Sequence, residues 1–199
     1  MTKNRVIIYE EAGADPRADV LAVGNDHGRT RVRAVAEQAQ LEPLVAELIG
    51  EGVDRIELCG AFGAVWHARA RRAAGERAEV GAIYYGFESL TGVASYKQRF
   101  EAGEVLSEAF LIVHEGADPG KDRIVRKRDG GGRTTLVAVP DETTAAEVAG
   151  RLAAELQLIE LYGGPGPESA APVIEAVDAA VPVGVTAWAV AFPAGRGRD

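Results

Sequence analysis

The chain has 199 residues, of which 47% are hydrophobic and 26% charged, and it carries a formal net charge of −8. This composition is typical of a folded globular protein and excludes a largely disordered chain. The negative charge argues against nucleic acids and anionic membranes as partners, because both bind basic surfaces. The single cysteine, Cys59, excludes an intramolecular disulfide, and no signal peptide is visible after Met1, so we expect a cytoplasmic protein.

An internal repeat organises the chain. Three segments recur in the same order at an offset of 103 residues: 13–16 (Gly-Ala-Asp-Pro) as 116–119, 56–58 (Ile-Glu-Leu) as 159–161, and 80–81 (Val-Gly) as 183–184. Repetition at a fixed offset indicates duplication of one structural unit. We therefore predict repeat unit one over 1–88, a connecting segment with helical spacing over 89–108, repeat unit two over 109–193, and a disordered tail over 194–199.

Each copy is predicted to begin with a strand and a hairpin. In copy one these are residues 6–9 and the pair 19–23 and 29–36, and copy two repeats the hairpin over 123–128 and 133–139. Glycine with Asn or Asp supplies the positive φ values of the tight reversal.

An amphipathic helix follows over 42–50, and its counterpart covers 144–156 with Asp141 or Thr143 as its cap. Next come a buried strand (55–59 and 158–162), a glycine-rich turn, a second helix and a last apolar strand. The unit is therefore β-β-β-α-β-α-β, an α/β fold with a mixed sheet, and we expect the two copies to be related by a pseudo-twofold axis. The pattern leaves open whether they share one sheet.

The glycine-rich turn lies where open α/β sheets bind ligands, at the carboxyl end of a parallel strand and before a helix. Backbone N–H groups there suit a phosphate or a carboxylate. The candidate ligand-binding residues are Gly60, Phe62, Gly63, Gly163 and Gly164. The alternative is a tight turn that needs glycine only for its geometry.

Glu57 and Glu160 occupy the same mid-strand position in the two copies, between apolar neighbours. A buried carboxylate there must be hydrogen-bonded or paired. One interpretation is a general base or a polar anchor for a ligand. The other is a structural carboxylate that is held by backbone N–H groups or by an arginine.

Copy one holds reactive side chains that copy two lacks. Cys59 shares a strand face with Glu57, and His67 lies near the start of the following helix. Tyr84 and Tyr85 lie on the last strand, and Trp66 precedes His67.

If the turn folds back, Glu57, His67, Cys59 and Tyr84 form an acid–base pocket, with Trp66, Tyr85 and Glu160 as further ligand-binding residues. Alternatively, Cys59 is a small buried hydrophobic residue and His67 a helix cap or a surface residue.

A metal site and a cofactor are not predicted. His27, His67 and His114 lack the spacing of a metal site, and no cofactor motif is present.

The sequence also resembles a known family. Residues 56–63 (Ile-Glu-Leu-Cys-Gly-Ala-Phe-Gly), the Gly-Ala-Asp-Pro turn and residues 181–185 (Val-Pro-Val-Gly-Val) resemble the uncharacterised bacterial family catalogued as domain of unknown function 6506, whose motif is Glu-Leu-Cys-Gly-Gly-Phe-Gly-Pro. Copy one has Ala61 and Ala64 where the motif has Gly and Pro. Copy two has Tyr162 and Pro165 at the Cys and Phe positions. The resemblance implies a tandem fusion of two family units and no particular activity.

Two functions from different classes remain open. The first is a cofactor-independent enzyme of isomerase, lyase or cyclase type that acts on a small organic acid or ketone. The second is a non-catalytic ligand-binding or protein-interaction module built as a fused pseudo-dimer. In either case we expect a small-molecule ligand and a monomer or a homodimer.

Overall fold

The computed structural model describes residues 3–164 and 166–188, so the predicted tail at 194–199 lies outside the described ranges. Copy one comprises β1 (Lys3–Glu10), β2 (Asp19–Asn25), β3 (Gly28–Val35), α1 (Leu41–Gly50), β4 (Arg55–Leu58), α2 (Gly63–Ala74) and β5 (Glu79–Tyr85). Helix α3 (Leu90–Glu101) lies between the copies. Copy two comprises β6 (Glu108–Val113), β7 (Arg123–Lys127), β8 (Arg133–Val139), α4 (Glu142–Leu152), β9 (Leu158–Tyr162), α5 (Pro167–Val177) and β10 (Val183–Trp188).

The mixed α/β fold and the two tandem copies are confirmed, and the element bounds differ from the prediction by a few residues. Helix α4 begins after Asp141, whose side chain accepts a hydrogen bond from the Thr144 amide at 2.7 Å and so caps the helix. It ends at Leu152 instead of 156, because Ala153–Glu155 forms a tighter 3-10 turn.

All ten strands form one sheet in the order β2-β3-β1-β4-β5-β10-β9-β6-β8-β7. Within each copy the four inner strands are parallel, the hairpin adds an antiparallel edge strand, and the two copies meet where β5 pairs with β10 in antiparallel orientation. The two copies therefore share one sheet, which the sequence had left open.

The β5–β10 register is symmetric with respect to the repeat. Gly81 pairs with Trp188, and Gly184 pairs with Tyr85, so each pair maps onto the other through the offset of 103 residues. The pair at the centre, Ile83 with Thr186, consists of two equivalent positions. The two strands are thus related by a local twofold axis through this pair.

The sheet curls strongly, so that strands far apart in its order face each other across a concave side. The rings of Tyr9 on β1 and Phe110 on β6 meet edge to face at 5.4 Å, and Phe110 meets Tyr162 at 5.6 Å. Arg126 on β7 reaches Glu11 after β1 at 2.9 Å. Apolar side chains of both copies therefore share one core on the concave side.

Helices α1, α2, α4 and α5 cover the convex side, where they bury the alternate residues of the strands. Helices α1 and α2 pack on copy one, and α4 and α5 pack on copy two through residues such as Val148 and Val173. Among the described residues, no helix is both long and apolar enough to cross a membrane.

Candidate acid–base site

The two mid-strand glutamates bind the glycine turns of each other's copy. The Gly163 amide donates to Glu57 Oε2 at 2.9 Å, and the Gly60 amide donates to Glu160 Oε1 at 2.9 Å. Glu57 and Glu160 are equivalent positions, and so are Gly60 and Gly163. The backbone N–H group at the start of each turn is therefore bound to an anionic side chain of the protein itself.

Close approach of neighbouring side chains explains why both turns need glycine. A Cβ atom at position 60 would lie 2.9 Å from both Glu160 Oε1 and the Tyr85 hydroxyl. At Gly163 the backbone has φ = +83°, and a Cβ atom would overlap the Arg5 guanidinium. The geometric role of glycine is thus fulfilled at these positions.

Glu57 belongs to a group that we call the arginine cluster, which comprises Arg5, Thr30, Glu57, His114 and Thr186. Arg5 Nη1 lies 3.2 Å from Glu57 Oε1, and the Thr186 hydroxyl donates to Glu57 Oε2 at 2.6 Å. Arg5 Nη2 also donates to the Val113 carbonyl at 2.7 Å. Glu57 is fully buried, and its charge is balanced by that of Arg5.

His114 completes the arginine cluster as a neutral side chain. Its Nδ1 lies 2.8 Å from the Thr30 hydroxyl, whose oxygen also accepts from Arg5. Burial, followed by the nearby Arg5 charge, lowers the pKa of His114. Thr30 therefore donates to Nδ1, and the ring proton is on Nε2.

Glu160 lies in a different environment, which we call the carboxylate cage: Glu160, Gly60, Tyr85 and Tyr162. Besides the Gly60 amide, the Tyr85 hydroxyl donates to Oε1 at 2.9 Å, and the Tyr162 hydroxyl donates to Oε2. Among the residues that the structure describes, no lysine or arginine forms an ion pair with Glu160.

A second carboxylate takes the place of the missing cation. The position equivalent to Arg5 in copy two is Glu108, which pairs with Thr134 across the strands as Arg5 pairs with Thr30. Glu108 forms an ion pair with Arg128 and accepts from the Tyr96 hydroxyl of α3 at 2.8 Å. The copies have thus diverged in charge at one pair of equivalent positions.

The environment of Glu160 sets its protonation near neutral pH. Burial raises the pKa of Glu160 from 4.5 to about 7, the Tyr162, Gly60 and Tyr85 hydrogen bonds counteract part of this rise, and the charge of Glu108 adds to it. Burial, with the nearby Glu160, also raises the pKa of the Cys59 thiol well above its usual value. At pH 7 Glu160 is therefore present in both its protonated and its ionised form, whereas the Cys59 thiol stays protonated.

The four side chains predicted to form the catalytic pocket lie on two faces of the sheet. Glu57 and Cys59 lie on the concave side. His67 packs from α2 onto the convex side, with Nδ1 3.2 Å from the Tyr84 hydroxyl and Nε2 3.0 Å from the Val80 carbonyl. The structure does not bring these four residues together, because strand residues alternate between faces and α2 covers the convex face.

The other predicted ligand-binding residues are also divided. Gly60, Tyr85 and Glu160 belong to the carboxylate cage, and the Gly163 amide contacts the arginine cluster through Glu57. The other four candidate residues lie outside both groups. Phe62 is buried in the core, and Gly63 begins α2 with φ = +61°. Trp66 stacks under the Arg69 guanidinium at 4.5 Å, and Gly164 lies against Ser169.

The sequence analysis did not select Arg5, Glu108 or Tyr162 as site residues. At the offset of 103 residues Arg5 corresponds to Glu108, and Tyr162 corresponds to Cys59. Comparing Arg5 with Glu108 is the signal that marks the charge difference between the copies. Among the described residues, no three His, Cys, Asp or Glu side chains are grouped so as to hold a metal ion.

Comparison with solved structures found distant similarities. A carbohydrate transporter from Acidothermus cellulolyticus 11B in complex with myo-inositol has a TM-score of 0.33 at 13% identity, over 92% of this chain and 73% of that one. A solute-binding protein from Burkholderia graminis C4D1M in complex with D-arabinose has a TM-score of 0.30 at 12% identity, over 87% of this chain and 71% of that one.

A third structure, the ABC domain in complex with L-Trp from Streptococcus pneumonia, has a TM-score of 0.29 at 7% identity, over 91% of this chain and 73% of that one. These TM-scores lie well below 0.5, so nothing about the ligand of this chain follows from them.

Sequence comparison gives a clearer result. No curated protein matches this chain. The model of a family of unknown function, DUF6506, matches it twice, over residues 3–98 and 106–193. Each match covers one of the two structural copies, and the first match extends into α3. The chain therefore belongs to the DUF6506 family, as a tandem duplication of the family unit.

Proposed function

We propose that this protein binds a small neutral organic molecule at the carboxylate cage and exchanges a proton with it through Glu160. The observation that carries the proposal is a buried carboxyl group with a pKa of about 7 and no cationic partner among the described residues. Enzymes tune carboxyl groups to this range for general acid–base catalysis, because the group is then effective in both directions at neutral pH.

The surrounding hydroxyl groups supply the rest of the chemistry. Ionised Glu160 takes a proton from a carbon next to a carbonyl group. As Glu160 becomes protonated, the Tyr85 hydroxyl turns from Glu160 Oε1 and donates to the carbonyl oxygen, where negative charge develops. Tyr85 is only partly buried, so it is the side of the cage that a ligand reaches from the surface.

The charges of the site favour a ketone over an organic acid. Glu160 and Glu108 interact unfavourably when both are ionised, and this interaction contributes to the raised pKa of Glu160. An anionic substrate would add a third negative charge to a poorly solvated region. Among the substrate classes expected from the sequence, a neutral ketone fits this site better.

The proposal moves the acid–base group from copy one to copy two. Glu57 is neutralised by Arg5 and hydrogen-bonded by Thr186 and Gly163, so its contacts suit a structural carboxylate. The site nevertheless includes both copies, since Gly60 and Tyr85 come from copy one.

The alternative function is a non-catalytic module derived from an ancestral homodimer. The symmetric β5–β10 register and the reciprocal Glu–Gly hydrogen bonds favour it, because an isologous dimer interface has this form. In that case Glu160 serves only to hold the Gly60 turn.

Hydrogen–deuterium exchange at carbon separates the two functions. Small aliphatic and aromatic ketones are incubated with the protein in D2O, and loss of their α-proton signals is followed by ¹H NMR. We expect wild type to accelerate exchange of one ketone class, with the rate rising through pH 7 as Glu160 ionises. We expect Glu160→Gln to be slower by about 100-fold or more.

Tyr84→Phe serves as the matched control, because this residue lies on the convex face. Its exchange rate should equal that of wild type. If Glu160→Gln is folded by circular dichroism and exchanges the ketone as fast as wild type, the proposed role of Glu160 is wrong. If no ketone exchanges with wild type, the non-catalytic module becomes the better account.

A further inference from the structure

A cavity of about 220 Å³ lies on the convex face of copy two, between the β7–β8 hairpin and α4. Its floor is apolar, formed by Val137, Val148 and Leu152, and its rim carries Arg123 and Arg151. Val137 alternates with the residues of β8 that face the shared core, so this cavity and the carboxylate cage lie on opposite sides of the sheet.

The corresponding region of copy one is filled. Arg31 and Arg33 of β3 project from the same face there, with Arg31 2.7 Å from Glu51 and Arg33 2.9 Å from Asp19. The strand registers place Thr135 and Val137 at the equivalent positions in copy two. Replacement of two long side chains by shorter ones therefore accounts for space on this face of copy two.

The charges of the two rim arginines are not paired within the described part of the chain. Among the described residues, neither Arg123 nor Arg151 lies within ion-pair distance of an acidic side chain. By contrast, Arg133 of the same copy forms an ion pair with Glu155. The acidic groups of the adjacent loop are engaged: Asp118 pairs with Lys121, and Asp122 accepts from the Asp118 amide. Both guanidinium groups are therefore available to an anion.

We propose that this cavity binds a small monocarboxylate with a short apolar body. The apolar body would rest on Val137, Val148 and Leu152, and the carboxylate would accept hydrogen bonds from Arg123 and Arg151, whose planar guanidinium groups match its geometry. The volume equals that of about seven water molecules at ~30 Å³ each, so the ligand has roughly that many non-hydrogen atoms.

Titration of ¹⁵N-labelled protein with hexanoate tests this site. We expect saturable chemical-shift changes confined to α4 and the β7–β8 hairpin. Hexan-1-ol has the same body without the charge, and acetate has the charge without the body, so both should bind more weakly. Arg151→Gln and Arg123→Gln should each raise the Kd for hexanoate by about tenfold.

Arg72→Gln is the matched control, because Arg72 is an exposed helix arginine of copy one, away from the cavity. Its Kd for hexanoate should equal that of wild type. The proposal is overturned if hexan-1-ol binds as tightly as hexanoate or if Arg72→Gln weakens binding as much as Arg151→Gln. Absence of saturable shifts at millimolar hexanoate also overturns it.

Discussion

Replacing Glu160 by glutamine should change how the stability of the protein depends on pH. The pKa of Glu160 is about 7 in the folded protein and 4.5 in the unfolded chain. Between these values the folded state keeps a proton that the unfolded state releases. The free energy of unfolding therefore falls as pH rises through this range, and the contribution of Glu160 is lost in full above pH 7.

The size of the change in the free energy of unfolding follows from the difference between the two pKa values of Glu160. A difference of about 2.5 pKa units corresponds to about 3 kcal/mol at ~1.4 kcal/mol per unit. Glutamine has nearly the same shape, stays neutral, and retains an oxygen that accepts from Gly60 and Tyr85. We expect Glu160→Gln and wild type to have similar stability near pH 5, and the variant to be more stable by up to about 3 kcal/mol at pH 8.

Urea denaturation of both proteins at several pH values between 5 and 8 measures this difference. Other titrating groups are common to both proteins and cancel when the two free energies are subtracted. A difference that stays constant across this pH range would refute the assignment of a near-neutral pKa to Glu160. A variant that becomes less stable than wild type as pH rises would show that ionised Glu160 stabilises the fold.

Three further changes test the structural account. Glu57→Gln should destabilise the protein by about 3–5 kcal/mol in urea, because Arg5 would lose its buried partner; an unchanged midpoint would contradict this. Gly163→Ala should lower the melting temperature, because the new Cβ atom would overlap the Arg5 guanidinium. Gly50→Ala should leave the melting temperature unchanged, because the space around Gly50 is open. Equal shifts in melting temperature for the two variants would contradict this argument. Cys59 should react with a thiol reagent on the order of 100-fold more slowly in native protein than in urea, and equal rates would show that it is not buried.

Much of the fold was predictable because the duplication shows each element twice. The hairpin, both helices of each unit and the central strand follow from hydrophobic spacing and turn residues. Whether the copies share a sheet was not predictable, since β5 and β10 are apolar strands in either arrangement. Their pairing depends on tertiary contacts such as the room that Gly81 leaves beside Trp188.

The candidate site was predictable only in part. The position and burial of the two glutamates follow from strand alternation. Their partners do not, because each glutamate binds one side chain of its own copy and two groups of the other copy. His67 lies on the other face of the sheet from Glu57, and the sequence does not show which face α2 covers. Comparing Arg5 with Glu108 would have indicated that only one glutamate has an arginine at the equivalent neighbouring position.

The antiparallel pairing of β5 with β10 also has a consequence for each copy alone. A chain that ended after α3 would leave β5 as an edge strand with unpaired backbone N–H and C=O groups along Glu79–Tyr85. Such edges recruit further strands unless charge, proline or a covering element protects them. Because the register is self-complementary, a second identical copy would fit that edge in place of β10, so the isolated first half is expected to self-associate into a two-chain version of the same ten-stranded sheet.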